Sequence, residues 1–203
     1  MIESQIRGRG VRDERVLEAM RRVPRHEFVP ADQQQVAFGD HALPIGYGQT
    51  ISQPYIVGFM TEALMLTDSD VVLEIGSGSG YQAAILAELA REVYSIELVP
   101  ALAERARQTL ARLGYRNVQV RAGDGYQGWP EHAPFSRIII TAAPEEIPQA
   151  LVDQLAVGGR MILPVGPAAG DQELVIVTKS EEGIATVRSL PVRFVPMVKP
   201  PGK

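Results

Sequence analysis

Apolar positions in the first third of the chain recur at helical spacing and are then interrupted by proline and glycine. Val16, Leu17, Met20 and Val23 lie three or four residues apart, which predicts a helix over 11–23 with Asp13 as its N-cap. Pro24 and Pro30 end that pattern. Residues 36–51, rich in Gly and Pro, read as irregular chain with short strands. A second helix is predicted over 54–66, with Pro54 at its start and Ser52 just ahead of it as an alternative N-cap.

From residue 70 short apolar runs alternate with helical segments. Strands are predicted over 71–75, 93–96, 118–120, 137–141 and 160–164, and helices over 81–90, 101–113 and 147–155. Gly114 stops the second of these helices and Gly158-Gly159 the third. Strands and helices alternating at this interval imply right-handed βαβ units and a buried parallel sheet. Two last apolar runs, 173–178 and 184–194, flank Glu181-Glu182-Gly183 and read as a hairpin. The predicted fold is therefore α/β, a Rossmann-like doubly wound, mostly parallel seven-stranded sheet ending in an antiparallel hairpin, with an N-terminal helical extension. Residues 1–69 form a helical cap and substrate-side loop and residues 70–203 the core, one compact domain overall. Residues 200–203 are expected to fray.

Composition narrows the chemistry. The chain of 203 residues holds no cysteine, which excludes a disulfide framework, a thiolate metal site and a cysteine nucleophile. Its net charge of −4 is spread without a basic stripe, which argues against nucleic-acid or anionic-membrane binding. No apolar run approaches the ~20 residues of a membrane-spanning helix, and the stretch around Met1–Arg7 has no secretory apolar segment. A cytoplasmic, monomeric protein is expected. His26, His41 and His132 have no metal-ligand spacing, so no metal is expected.

In a doubly wound sheet ligands bind beyond the carboxyl ends of the strands, and the candidate residues fall there. The first core strand runs into Glu74-Ile75-Gly76-Ser77-Gly78-Ser79-Gly80. Glycines at alternate positions let backbone approach a ligand and turn sharply into a helix, whose N-terminus suits an anionic group. Glu74 is placed to hold the ammonium or sugar side of a zwitterionic cofactor. Glu97, followed by Leu98, ends the second strand and is suited to ribose hydroxyls. Asp124, within Gly123-Asp124-Gly125 after the third strand, is suited to an adenine amino group. Gly78 to Ala83 also fits G-x-G-x-x-A, which keeps a nicotinamide dinucleotide open, although that register places the turn late. Together these acids and glycines favour an adenosyl cofactor.

The glycine turn resembles that of class I S-adenosylmethionine-dependent methyltransferases. The upstream stretch Ala42-Leu43-Pro44-Ile45-Gly46-Tyr47-Gly48-Gln49-Thr50-Ile51-Ser52-Gln53-Pro54 closely resembles a signature of the protein-L-isoaspartate O-methyltransferase family. Val23-Pro24-Arg25, Gly128-Trp129-Pro130, Ala133-Pro134-Phe135, Thr141-Ala142-Ala143 and Leu163-Pro164-Val165-Gly166 extend the likeness over about residues 4–197. Ser136 departs from it, where the family usually carries Asp.

The resemblance implies methylation of the free α-carboxylate of L-isoaspartyl, and possibly D-aspartyl, residues in damaged proteins and peptides. The ester then collapses to a succinimide, which begins repair. S-adenosyl-L-methionine would be the donor and S-adenosyl-L-homocysteine the product. Glu74, Gly76, Ser77, Gly78, Gly80, Glu97, Leu98, Asp124 and Gly125 are the implied cofactor-binding residues. Ser52 matches the family's active-site serine, with Thr50, Ile51, Gln53 and His41 around the substrate, and Arg193 to Met197 lining the cleft from the far side. The alternatives are a small-molecule O-methyltransferase and a non-catalytic nucleoside-binding protein of the same fold.

Overall fold

The computed structural model describes residues 1–200, so the expected fraying tail lies, apart from Pro200, outside the described residues. Helix α1, Glu14–Arg22, starts where Asp13 accepts a hydrogen bond from the Arg15 N–H, a cap worth ~1 kcal/mol. Its apolar stripe of Val16, Leu17, Ala19 and Met20 is buried. Before it stand two short helical turns over Ile2–Ile6 and Arg7–Arg9, which polar periodicity did not announce. Short 3-10 turns over Arg25–Phe28 and Ala31–Val36 follow it, where the prolines end the helical pattern.

The Gly-rich stretch folds as a hairpin, β1 (Leu43–Gly46) antiparallel to β2 (Gln49–Ile51). Its tip is possible because Gly46 and Gly48 take φ of +91° and +71° on either side of Tyr47. Helix α2, Pro54–Ala63, begins with Gln53 at the N-cap, not Ser52. Ser52 is therefore left out of capping, and its side chain is available for another task.

The core alternates β3 (Val71–Ile75), α3 (Tyr81–Ala87), β4 (Glu92–Glu97), α4 (Pro100–Arg112), β5 (Val118–Ala122), β6 (Phe135–Ile140), α5 (Gln149–Gln154) and β7 (Leu155–Val165). Strands β8 (Gln172–Ser180) and β9 (Gly183–Val192) complete one sheet in the order β5-β4-β3-β6-β7-β8-β9. Strands β3 to β7 pair in parallel, whereas β7-β8 and β8-β9 are antiparallel. This is the doubly wound sheet with a terminal hairpin that the hydrophobic pattern predicts.

Period-two alternation along β3 feeds two cores. Val72 joins the apolar cluster beneath α3 and α4, whereas Leu73 and Ile75 join the one containing Phe135, Leu151 and Leu155. The chain winds from β3 outward through β4 to β5, then returns to place β6 on the other side of β3. The switch point thus lies at the carboxyl ends of β3 and β6, where a crevice is expected.

Some boundaries move. Gly114 takes φ +88°, with the Tyr115 N–H donating to the Leu110 carbonyl, so α4 ends where glycine predicts. Helix α5 is shorter than expected, because Leu155 already pairs with Phe135 and the strand takes over before Gly158-Gly159. Among the described residues no helix is long and apolar enough to cross a membrane.

Candidate active site

The turn after β3 is held by its neighbours as well as by its own Gly80 N–H to Ser77 carbonyl bond of 2.7 Å. The Gly76 N–H donates to the Ile96 carbonyl at 2.7 Å, and the Gly78 N–H donates to Glu97 Oε2 at 2.8 Å. Glu97 Oε1 accepts the Val99 N–H at 2.9 Å, so this carboxylate ties the end of β3 to the start of α4. Each oxygen keeps a second lone pair for a ligand hydroxyl.

Glycine at position 76 is a steric requirement. Its φ is +95°, and a Cβ there would stand 2.4 Å from Thr141 Oγ1. That hydroxyl sits 2.7 Å from the Gly76 carbonyl and 3.0 Å from that of Ile75, locking the turn to the end of β6. A Cβ on Gly125 would likewise meet Ile75 at 2.4 Å. These bare backbones open a crevice lined by Gly76, Gly78, Glu97, Leu98, Gly125 and Thr141 at the switch point. Val195, Pro196, Met197 and Val198 close it from the opposite side. That C-terminal segment is pinned by the Ala143 N–H to the Val195 carbonyl and the Met197 N–H to the Ala143 carbonyl, both 2.8 Å. The cradle has the shape and the hydroxyl acceptor that an adenosyl cofactor requires.

Two sequence expectations need correcting here. Glu74 does not face the crevice: strand alternation turns it onto the face of Val72, where it is 0% exposed. It accepts a hydrogen bond from Ser95, whose hydroxyl is 2.5 Å from that of Ser77, while its Oε1 has no partner. Burial pushes its carboxyl up to about 8, with the nearby Glu97 charge adding in the same direction. Glu74 and Ser77 therefore support the turn from beneath, although Ser77 also borders a small recess above α3. Gly80, at the start of α3 with φ +89°, packs against Ala106 and Leu110 of α4 instead of the crevice. Asp124 Oδ1 caps its own loop by accepting the Tyr126 N–H at 3.0 Å, which leaves its other oxygen free, and Gly125 lines the crevice wall.

The other side is built by the hairpin. Thr50 and Thr141 border the crevice, the small recess and a wide cleft of ≈ 1300 Å³ alike. Ser52 borders both the recess and the wide cleft, and Ile51 the recess. Gln53 lines the wide cleft while its amide donates to the Asp40 carbonyl at 3.0 Å and to its carboxylate at 2.8 Å. Arg193 and Phe194, beyond β9, form part of the far wall. His41 is corrected too: it is exposed, lies against Gly39, and leaves the wall to Ala42. His132 is no plain surface residue, since its ring stacks on Tyr94 at 4.0 Å, away from the cleft.

Two contributors escaped sequence reasoning. Thr141 had a usable signal, the first polar position after the apolar run Ile138-Ile139-Ile140 at the switch point. Arg25 falls within the Val23-Pro24-Arg25 likeness, but nothing in the sequence announces that this arginine is buried. The departure at Ser136 has a local account: its hydroxyl both accepts the Val71 N–H at 3.0 Å and donates to the Val71 carbonyl at 3.1 Å. It stitches β6 to β3 at the sheet end remote from the crevice.

The protein-L-isoaspartate(D-aspartate) O-methyltransferase family matches residues 1–201. The chain belongs to this family. A protein-L-isoaspartate O-methyltransferase of Synechococcus sp. (strain JA-2-3B'a(2-13)) is 61% identical, over 98% of this chain and 84% of the relative. Another, from Gloeobacter violaceus, is 57% identical over 98% of this chain and 97% of its own. A solved protein-L-isoaspartate O-methyltransferase superposes with a TM-score of 0.88 at 30% identity, over 97% of this chain and 65% of that one. A Plasmodium falciparum protein described as a member of this methyltransferase class, solved in complex with S-adenosyl-L-homocysteine, gives 0.86 at 26% identity over 98% and 97%.

Proposed function

We propose that this methyltransferase esterifies the free α-carboxylate of L-isoaspartyl residues in peptides and proteins, with D-aspartyl residues as a second substrate. The observation that carries the reading is the junction at Thr50 and Thr141, where a narrow crevice meets a cleft wide enough for a peptide. Its ≈ 1300 Å³ exceeds the ~300–1,000 Å³ of pockets for drug-sized ligands, which supports a peptide over a small alcohol or phenol.

S-adenosylmethionine, when bound, supplies a methyl group on a sulfonium and leaves as a neutral thioether. Gly76, Gly78 and Gly125 would admit it, Glu97 would accept its ribose hydroxyls, and Leu98 would pack against it. Ser77 and Glu74 would hold the turn that receives it. A carboxylate with an ordinary pKa near ~4 is already ionised at neutral pH, so no base is needed. Among the described residues no histidine lines the cleft, the crevice or the recess, which accords with a reaction that moves no proton. The chain's task is to align one carboxylate oxygen with the methyl carbon and keep water away. Ser52 would donate its hydroxyl to the substrate carboxylate, and Thr50 and Ile51 would shape its approach. The spread-out charge and scattered exposed apolar side chains support a monomer acting in the cytoplasm, off membranes and nucleic acids.

Role-separating variants test this. Ser52→Ala is expected to lower kcat at least tenfold with S-adenosylhomocysteine affinity within twofold of wild type. Glu97→Ala is expected to weaken that affinity at least tenfold, measured by calorimetry. Equal losses of turnover and affinity in both variants would contradict the assignment.

A further inference from the structure

Beneath Ser52 lies a charge with no counter-charge. Arg25 is 0% exposed, the one buried basic side chain among the described residues. Its guanidinium forks between two carbonyls, Nε donating to Ala37 at 2.8 Å and Nη2 to Ser52 at 2.7 Å. It lies over the Tyr81 ring with Cζ 4.8 Å from the centroid, and among the described residues no carboxylate pairs with it. Burial disfavours its charge, the Tyr81 hydroxyl offsets part of that, and neither Nη1 nor this hydroxyl has any other partner. Tyr81 borders the same recess as Ser52, Thr50 and Thr141.

A buried ion without an opposite charge is costly; its hydrogen bonds and the aromatic ring offset part of the cost, and an arriving anion offsets more. Arg25 remains cationic throughout, since guanidinium does not deprotonate in proteins. We propose that Arg25 is the positioning residue for the reacting carboxylate: its fork fixes the backbone that presents Ser52, and its charge, under the floor of the recess, is neutralised when the substrate carboxylate binds.

The two parts separate kinetically. The carboxylate is anionic before transfer and neutral once esterified, so the cation favours bound substrate more than the transition state. Charge therefore acts on KM and helps the neutral ester depart, whereas the fork, by setting the Ser52 backbone, acts on kcat. Lysine would keep the charge but not span both carbonyls.

This inference rests on the isoaspartyl reading above. The test first measures wild-type methylation of an isoaspartyl peptide, together with the Ki of the same peptide with its α-carboxylate replaced by a carboxamide. No wild-type transfer would sink the reading itself, before any variant is made. With transfer established, Arg25→Met is expected to raise KM for the carboxylate peptide about tenfold, with the carboxamide Ki and S-adenosylhomocysteine affinity within twofold. Arg25→Lys is expected to hold KM within threefold while kcat drops about fivefold. Equal rises of KM and Ki in Arg25→Met, or neither rising, would assign Arg25 to the scaffold alone and overturn the proposal. Should Arg25→Met not fold, unchanged kcat in Arg25→Lys overturns it, and the fivefold loss at constant KM supports it.

Discussion

Glu74 shows how little distance separates touching a ligand from holding what touches it. A carboxyl buried beneath the turn, raised to about 8 by desolvation, is protonated at neutral pH. Its folded pKa lies above the ordinary 4.5, so the folded state binds the proton more tightly than the unfolded chain. The resulting stability is present in full below about 4.5 and is lost as pH rises through about 8. Glu74→Gln, which keeps the shape and discards the titration, should flatten that loss. Thermal melts from pH 5 to 9 check this: wild type is expected to lose several degrees that the variant retains. Parallel curves for the two proteins would mean that the carboxyl is not buried as described. Glu97 contrasts with it, since its oxygens hold two backbone N–H groups and still border the crevice.

At the scale of elements, what could be read in the sequence was what period and punctuation encode. Apolar runs from β3 to β9 gave the strands and their order of use, and Asp13, Pro54 and Gly114 gave helix ends that the structure keeps. Strand alternation is legible as burial, and the place of Glu74 within β3 puts it under the turn. Gly80 lies in the right loop but is occupied by helix packing, which spacing does not reveal. The crossing of Ala143 with the 195–197 segment depends on a long-range pairing that no local pattern carries. The interlock of Gly76 with Thr141 makes its own prediction. Gly76→Ala forces a left-handed residue, costing roughly 1–2 kcal/mol, and drives a methyl into a hydroxyl 2.4 Å away. A melting temperature lower by several degrees and loss of S-adenosylhomocysteine binding by calorimetry are expected. Wild-type affinity would show that the turn can be displaced without harm.

Across the whole molecule, a doubly wound sheet sets a narrow crevice at its switch point, and the N-terminal segment supplies a hairpin that faces it. The wide cleft lies between that hairpin and the terminal antiparallel strands. Cleft and crevice thus meet at the same two threonines, Thr50 from the hairpin and Thr141 from the sheet. The proposed function predicts selectivity for a carboxylate that projects from a peptide backbone. The most direct measurement is transfer of labelled methyl from S-adenosylmethionine to two peptides identical except for one isoaspartyl or aspartyl linkage. Base-labile label on the isoaspartyl peptide alone is the predicted result; equal labelling of both, or of neither while S-adenosylhomocysteine still binds, would contradict it.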